Sequence, residues 1–184
     1  MLTYILLAVA IVVALLVIVV ATQPADFRYE RSATINASPS KVFDHVNNFH
    51  HWEEWSPWAK RDPNAKTAYE GPESGEGAKF SWSGNNEVGE GKMTIIESTP
   101  HKIVAIRLEF LRPMKAINTG EFVFKPVGDQ TQVTWSMHGK NSFMGKAFGM
   151  IVDCDKMIGK DFEQGLANLQ SIVESSPAAP VASH

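Results

Sequence analysis

From Leu2 to Ala21 the chain reads LTYILLAVAIVVALLVIVVA, with no charged side chain, no glycine and no proline. The first charged residue is Asp26. As a helix, a run of this length spans about 30 Å, the thickness of a bilayer hydrocarbon core. Val and Ile are mediocre helix formers in water. In lipid the backbone must satisfy its own hydrogen bonds, so the helix prevails there. The run is apolar on every side, which excludes a surface amphipathic helix. The alternative is a cleaved signal peptide, which needs a basic start, an apolar core of about 7–15 residues and a small-x-small cleavage site. No Lys or Arg precedes Arg28, and Val19-Val20-Ala21 is a weak cleavage sequence. Residues 1–22 are therefore read as a retained single-pass anchor. Arg28, Arg31 and Lys41 follow the helix; by the positive-inside rule they favour a cytoplasmic domain, Asp26 and Glu30 counting for little, but so few charges leave the side of the membrane open.

The remainder suits one domain. The chain has 184 residues, a net charge of −3 and a single cysteine, Cys154. That composition excludes a disordered chain, a collagen and a disulfide scaffold. It lacks the basic stripe that a nucleic-acid partner requires.

After the joint at residues 23–26, Tyr29 to Ile35 alternates as a strand with Tyr29, Ala33 and Ile35 on one face. Ser38-Pro39 is a helix start, and Val42, Phe43, Val46 and Phe49 follow at helical spacing. Trp52 to Trp55 predicts a short second helix stopped by Pro57. From Lys66 to Lys140 about six strands alternate, punctuated by Gly71-Pro72, Gly84-Asn85-Asn86, Pro100 and Gly128-Asp129. One parity carries Phe80, Trp82, Met93, Ile95, Val104, Ile106, Leu108, Phe110, Phe122, Phe124, Val133, Trp135 and Met137; the other carries Lys92, Thr94, Glu121, Lys125, Thr134 and Ser136. This is a sheet with one dry face. An apolar stripe from Phe143 to Val173 predicts one long helix over 143–174. A Ser/Pro/Ala-rich tail, 175–184, is expected to be disordered. A sheet with one dry face must curl over something, and the long helix is the available partner.

Several separated motifs resemble those of bacterial polyketide cyclase/dehydrase-like proteins of the START/Bet v 1-like (SRPBCC) superfamily. They are Glu30 to Pro39, Trp55-Ser56-Pro57-Trp58, the Gly-x-Gly turn ending Phe80-Ser81-Trp82, Val133 to Met137, and Met157 to Leu169. The resemblance covers residues 27–174. It implies an α+β helix-grip fold: a curved antiparallel sheet of about seven strands wrapped on a long C-terminal helix around a mostly hydrophobic pocket. Members of the superfamily include lipid carriers, hormone and pigment binders, aromatic cyclases and activators of a chaperone ATPase. Many bacterial members of this subgroup carry one N-terminal transmembrane segment, which implies a place in the bacterial inner membrane.

Candidate chemistry is sparse. His50, His51 and Glu54 lack the His-Glu-x-x-His spacing, and adjacent histidines on a helix diverge by about 100°. They are read as a solvated helix end. In Gly84 to Lys92, Glu90 follows the second glycine of a would-be phosphate loop and a strand follows instead of a helix, so the segment is read as a hairpin. Cys154 lies between Asp153 and Asp155, whose charges disfavour a thiolate, so it is read as structural. Asn36-Ala37-Ser38 fits a glycosylation sequon but is followed by Pro39. Trp52, Trp55 and Trp58 either plug one end of the core or touch a ligand.

An acid–base enzyme needs titratable groups in reach of substrate. The inward set, Phe80, Trp82, Met93, Leu108, Phe122, Phe124 and Trp135 from the sheet with Met150, Cys154 and Met157 from the helix, carries no Asp, Glu, His, Lys or Arg, and Asn118 offers one polar contact. With Trp55 and Trp58, these residues are the expected ligand-binding set; Met150, Cys154 and Met157 are expected to floor the cavity. No catalytic residue, metal or cofactor is expected. The sequence points to a membrane-tethered domain binding a hydrophobic small molecule or lipid. A cyclase/dehydratase-like enzyme and a protein-interaction domain of the chaperone-ATPase-activator type remain the alternatives. If residues 1–22 are retained, expressed protein pellets with membranes and its N-terminal sequence starts at the beginning of the chain. A soluble product beginning near Thr22 refutes the anchor.

Overall fold

The period-two alternation of the central sequence becomes a single antiparallel sheet. The computed structural model describes residues 1–175. The elements are α1 (Leu2–Thr22), β1 (Asp26–Ile35), α2 (Pro39–Asn47), a 3-10 turn (Phe49–His51), α3 (Trp52–Trp55), β2 (Lys66–Glu70), β3 (Lys79–Ser83), β4 (Glu90–Thr99), β5 (Ile103–Arg112), β6 (Ala116–Val127), β7 (Gln130–Lys140), α4 (Phe143–Gly149) and α5 (Cys154–Ser175). The seven strands lie in the order β1-β7-β6-β5-β4-β3-β2, all neighbours antiparallel. Register shifts in β4, between Glu90 and Gly91 and between Ile95 and Glu97, bend the strand, as bulges do.

α5 lies across the concave face. Phe162, Leu166, Leu169 and Val173 are buried along one side of it, at the three-, four- and seven-residue spacing of a helix face. Their partners include Ile35, Val104, Phe122, Phe124, Val133 and Trp135 from the sheet, with Val42, Phe43 and Val46 from α2. The tryptophans of α3 fill the middle. The Trp52 indole donates to the Val46 carbonyl and that of Trp55 to the His45 carbonyl. Asn168 of α5 donates to the Trp55 carbonyl at 3.0 Å. The long polar edges of both indoles are thus satisfied inside the core, as buried tryptophan requires.

The single helix expected over 143–174 is two helices. α4 ends at Gly149, and α5 begins after Asp153, whose Oδ1 accepts from the Lys156 amide. That is an N-cap, and it competes with a continuous helix through the same residues. The apolar stripe accordingly faces the core only from Ile158 onward. Met150, Ile151 and Met157, taken as part of it, are exposed. Of the tail expected over 175–184, Ser175 ends α5 and the remainder lies outside the described residues.

α5 approaches the sheet at Gly165. A Cβ there would lie 2.7 Å from the Trp135 ring and 3.1 Å from Pro57, so any side chain must push the helix off its seat. Gly165→Val is expected to cost about 1–3 kcal/mol or more of stability, the range for overpacking a filled core. Chemical denaturation of the variant measures it, and an unchanged midpoint would show that α5 does not bear on Trp135.

Candidate functional site

One row of side chains crosses the concave face from edge to edge. Tyr69 pairs with Phe80, Phe80 with Met93, Met93 with Leu108, Leu108 with Asn118, Asn118 with Gly139, and Gly139 with Phe27. Apart from buried Asn118, the side chains in this row are only half-buried. The next row toward the β3–β4 and β5–β6 turns holds Trp82, Gly91 and Phe110, again half-buried at its two rings. Trp82 lies flat over β4 because Gly91 has no side chain: a Cβ there would sit 2.6 Å from the indole. The Trp82 Nε1 donates to the Val88 carbonyl at 2.8 Å, and its ring meets Phe80 and Phe110 at 6.1 Å.

These rows form the open half of the concave face. At the other half α5, α2 and α3 close down on the sheet and the side chains are buried. Trp55, Phe122, Phe124 and Trp135 belong to that closed half and are packed on all sides. Of the expected ligand-binding set, the structure brings Phe80, Trp82, Met93, Leu108 and Asn118 together in the open half. Trp58, half-buried, packs at the edge of the closed half, edge-on to Trp135 at 5.8 Å and to Phe162 at 6.5 Å. Asn118 directs its amide Nδ2 toward the Met137 sulfur at 3.9 Å.

Met150, Cys154 and Met157 do not floor this trough. Met150 and Cys154 line a separate open recess of about 570 Å³, shared with Gln23, Tyr29, Lys146 and Asp155. The helix break at 150–153 carries them out from under the sheet, and Met157 is turned to solvent. A second recess, about 250 Å³, lies beside His50 and Tyr69, whose rings stack at 3.9 Å.

Two charged contacts join α5 to distant parts of the chain, and their partners lie beyond local sequence reach. Arg31 shares the inner face of β1 with Tyr29 and Ala33, and its guanidinium reaches α5. It donates to the Asp155 carboxylate and carbonyl and to Glu163. Its parity with Tyr29 was the available signal. Arg61 pairs with Asp161, tying the segment after α3 to α5. The neighbouring Asp62 accepts from the Asn85 amide, so the same segment reaches the β3–β4 loop. On the β1 side, burial first and then Cys154 push the Tyr29 phenol up to about 12, leaving it a neutral donor at physiological pH.

Carboxylates hold the ends of α5. Hydrogen bonds from Arg31 keep Asp155 below the usual carboxylate range. The Asn36 backbone N–H, then Gln170, do the same for Glu174. A carboxylate depressed in the folded state stabilises fully above its unfolded pKa and loses that contribution as pH falls through its folded value. The melting temperature should therefore drop as pH falls below about 4. The double variant Asp155→Asn/Glu174→Gln should show a shallower acid limb between pH 7 and pH 3. A limb as steep as in the wild type would place the acid sensitivity elsewhere.

Comparison with known proteins agrees with this architecture. The family described as polyketide cyclase / dehydrase and lipid transport matches residues 26–174. Protein SA2116 from Staphylococcus aureus superposes with a TM-score of 0.62 at 11% identity, covering 83% of this chain and 96% of its own. The Aha1 dimer from Colwellia psychrerythraea gives 0.55 at 17%, covering 83% and 99%. The di-domain ARO/CYC protein BexL from the BE-7585A biosynthetic pathway gives 0.59 at 14%, covering 86% of this chain and 53% of its own. No curated protein matches the sequence. At such identities the solved structures show the fold alone. A family match over most of the chain, on an α+β helix-grip fold of seven strands and a C-terminal helix, makes this protein a member of the polyketide cyclase / dehydrase and lipid transport family.

Proposed function

We propose that the domain is held at a membrane by α1 and binds a hydrophobic small molecule or lipid in the open trough, without catalysing a reaction on it. The observation that carries this reading is the unbroken row of half-buried apolar side chains through Phe80, Met93 and Leu108, flanked by Trp82 and Phe110. Rings and thioethers left half-uncovered in one concave strip are what an apolar ligand covers. Asn118, at the end of the strip, supplies the polar contact that orients such a ligand. The family's description includes lipid transport, in keeping with that chemistry. α1 is long and apolar enough to cross a bilayer and is almost wholly uncovered by the rest of the chain.

A second reading has its own support. The closed half of the concave face is filled by Trp52, Trp55, Phe122, Trp135 and Phe162, and a filled core suits a domain that docks on another protein.

One experiment separates them. A fluorescent fatty-acid probe is titrated into the full chain in detergent micelles, against Met93→Glu and Ile96→Glu. Met93 faces the trough, and Ile96 is exposed beside the β4 register shift. The first variant should lose about tenfold or more in affinity, roughly 1.4 kcal/mol; the second should bind as the wild type does. A wild type that never takes up the probe sinks the ligand-binding reading and favours the protein-docking one.

A further inference from the structure

The end of the sheet from which α1 departs is also the end where the trough opens. β1 begins at Asp26, opposite Lys140 at the end of β7. Asn118 near the start of β6 pairs with Gly139, and Phe110 pairs with Ala116 across the β5–β6 turn. The β5–β6 turn, the β3–β4 loop beyond Trp82 and the start of α5 therefore sit with residues 23–26 at one end of the domain. The polypeptide between Thr22 and Asp26 is three residues, Gln23, Pro24 and Ala25, which span at most about 11 Å. The joint is pinned as well as short. Lys146 Nζ of α4 donates to the Ala21 carbonyl at 3.1 Å, and the Asn141 amide donates to the Ala25 carbonyl at 2.8 Å. Wherever α1 crosses a bilayer, this end of the sheet lies at its surface.

That end is where the domain exposes its large apolar side chains. Leu111, Met114 and Ile117 are exposed around the β5–β6 turn, and Phe143, Met144 and Phe148 on α4. Ile151, in the break between α4 and α5, is 87% exposed. Toward the opposite end, among the described residues, the exposed large apolar side chains are Ile96 and Val127. Apolar groups gathered on one side of a soluble domain mark an interaction surface. A helix and a turn lying in the headgroup region bury such groups about 5–10 Å deep. Lys115, in the turn, can extend its ammonium group to the phosphates while its stem stays in the apolar layer.

Resting on the reading of α1 as a membrane span and of the trough as an apolar site, we propose that α4 and the β5–β6 turn dip into the lipid surface. They thereby hold the Trp82–Phe110 mouth of the trough against the bilayer. The ligand is then a membrane-resident lipid or hydrophobic molecule that enters sideways from the bilayer and does not cross water. The occupant of the exposed rim is lipid, because the pinned joint leaves α4 no distance in which to stand off the surface that α1 enters.

The test uses the full chain in vesicles of phosphatidylcholine and phosphatidylglycerol. Cys154, the only cysteine, is replaced by Ser. Single cysteines carrying an environment-sensitive fluorophore are then placed at Ile11, Met114, Phe148 and Val127. Lipids bearing a quencher near the headgroup and iodide in the buffer report where each label lies. Labels at Met114 and Phe148 should shift to the blue and lose most of their emission to the lipid quencher, while the Val127 label responds only to iodide. If Ile11 lies in lipid but the Met114 and Phe148 labels remain open to iodide, the rim does not dock and the proposal falls, leaving the anchor intact. Labels shielded from both quenchers would show protein covering the rim, a second copy included, and would overturn it equally. If Ile11 is itself outside the lipid, the anchor is refuted and the proposal with it. As a functional readout, Met114→Asp/Phe148→Asp should slow transfer of the fatty-acid probe out of vesicles severalfold without changing its affinity in micelles. Unchanged transfer would count against entry from the bilayer.

Discussion

Trp135 lies between two other rings, with Phe162 of α5 stacked on it at 4.2 Å and 11° and Phe122 of β6 at 4.8 Å and 26°. Trp55 approaches edge-on at 5.7 Å and Trp58 at 5.8 Å. Each buried ring removes a large apolar area from water, and offset or edge contacts add roughly 0.5–1.5 kcal/mol apiece. This cluster joins β7, β6, α3 and α5 at one point. It sets how far α5 stands from the sheet, and it requires a glycine at position 165 where helix and indole meet. The closed half of the concave face follows from it. The open half lies over β3, β4 and β5, away from β1 and β7, the strands that α5 contacts.

Charge reinforces this arrangement at the rim and not in the core. Arg31 fastens the start of α5 through Asp155 and Glu163, and Arg61 fastens its middle through Asp161. The guanidinium of Arg31 keeps partial access to water, where ion pairs carry modest energy. Their geometric effect is larger. Between them they fix α5 relative to β1 and to the segment that follows α3. On the convex face Lys92, Glu109 and Arg107 form a separate network, which keeps that side of the sheet soluble without a covering layer.

The seven strands were readable because alternation and turn residues are local properties of the chain. Phe80 and Trp82, Met93 and Ile95, and Leu108 and Phe110 declared their shared face by parity alone. The short Trp52–Trp55 helix was readable from Pro57. The helix break was less visible. Gly149 and the Asp153 cap are weak marks inside a stripe that keeps helical spacing, and the stripe outweighed them. Helical spacing alone puts Met150, Cys154 and Met157 in the concavity, which the break prevents. Arg31 escaped notice because a charged residue on an otherwise apolar strand face makes sense only once its partners, far away on α5, are in place.

Local pattern specifies the apolar N-terminal helix, the antiparallel sheet with one dry face and a helical C-terminal segment, since each depends on residues within a few turns of one another. Which half of the dry face is filled and which is open was decided only by tertiary structure. Trp55, Phe122, Phe124 and Trp135 share composition and parity with Phe80, Trp82, Met93 and Leu108. What distinguishes them is whether α5 and α3 pack above them. That depends on contacts such as Asn168 to the Trp55 carbonyl, 113 residues apart, which no local pattern encodes. The placement of the exposed rim beside the exit of α1 has the same origin. Phe143, Leu111 and Thr22 are distant in sequence, and the register of β1, β7, β6 and β5 brings them to one end of the domain.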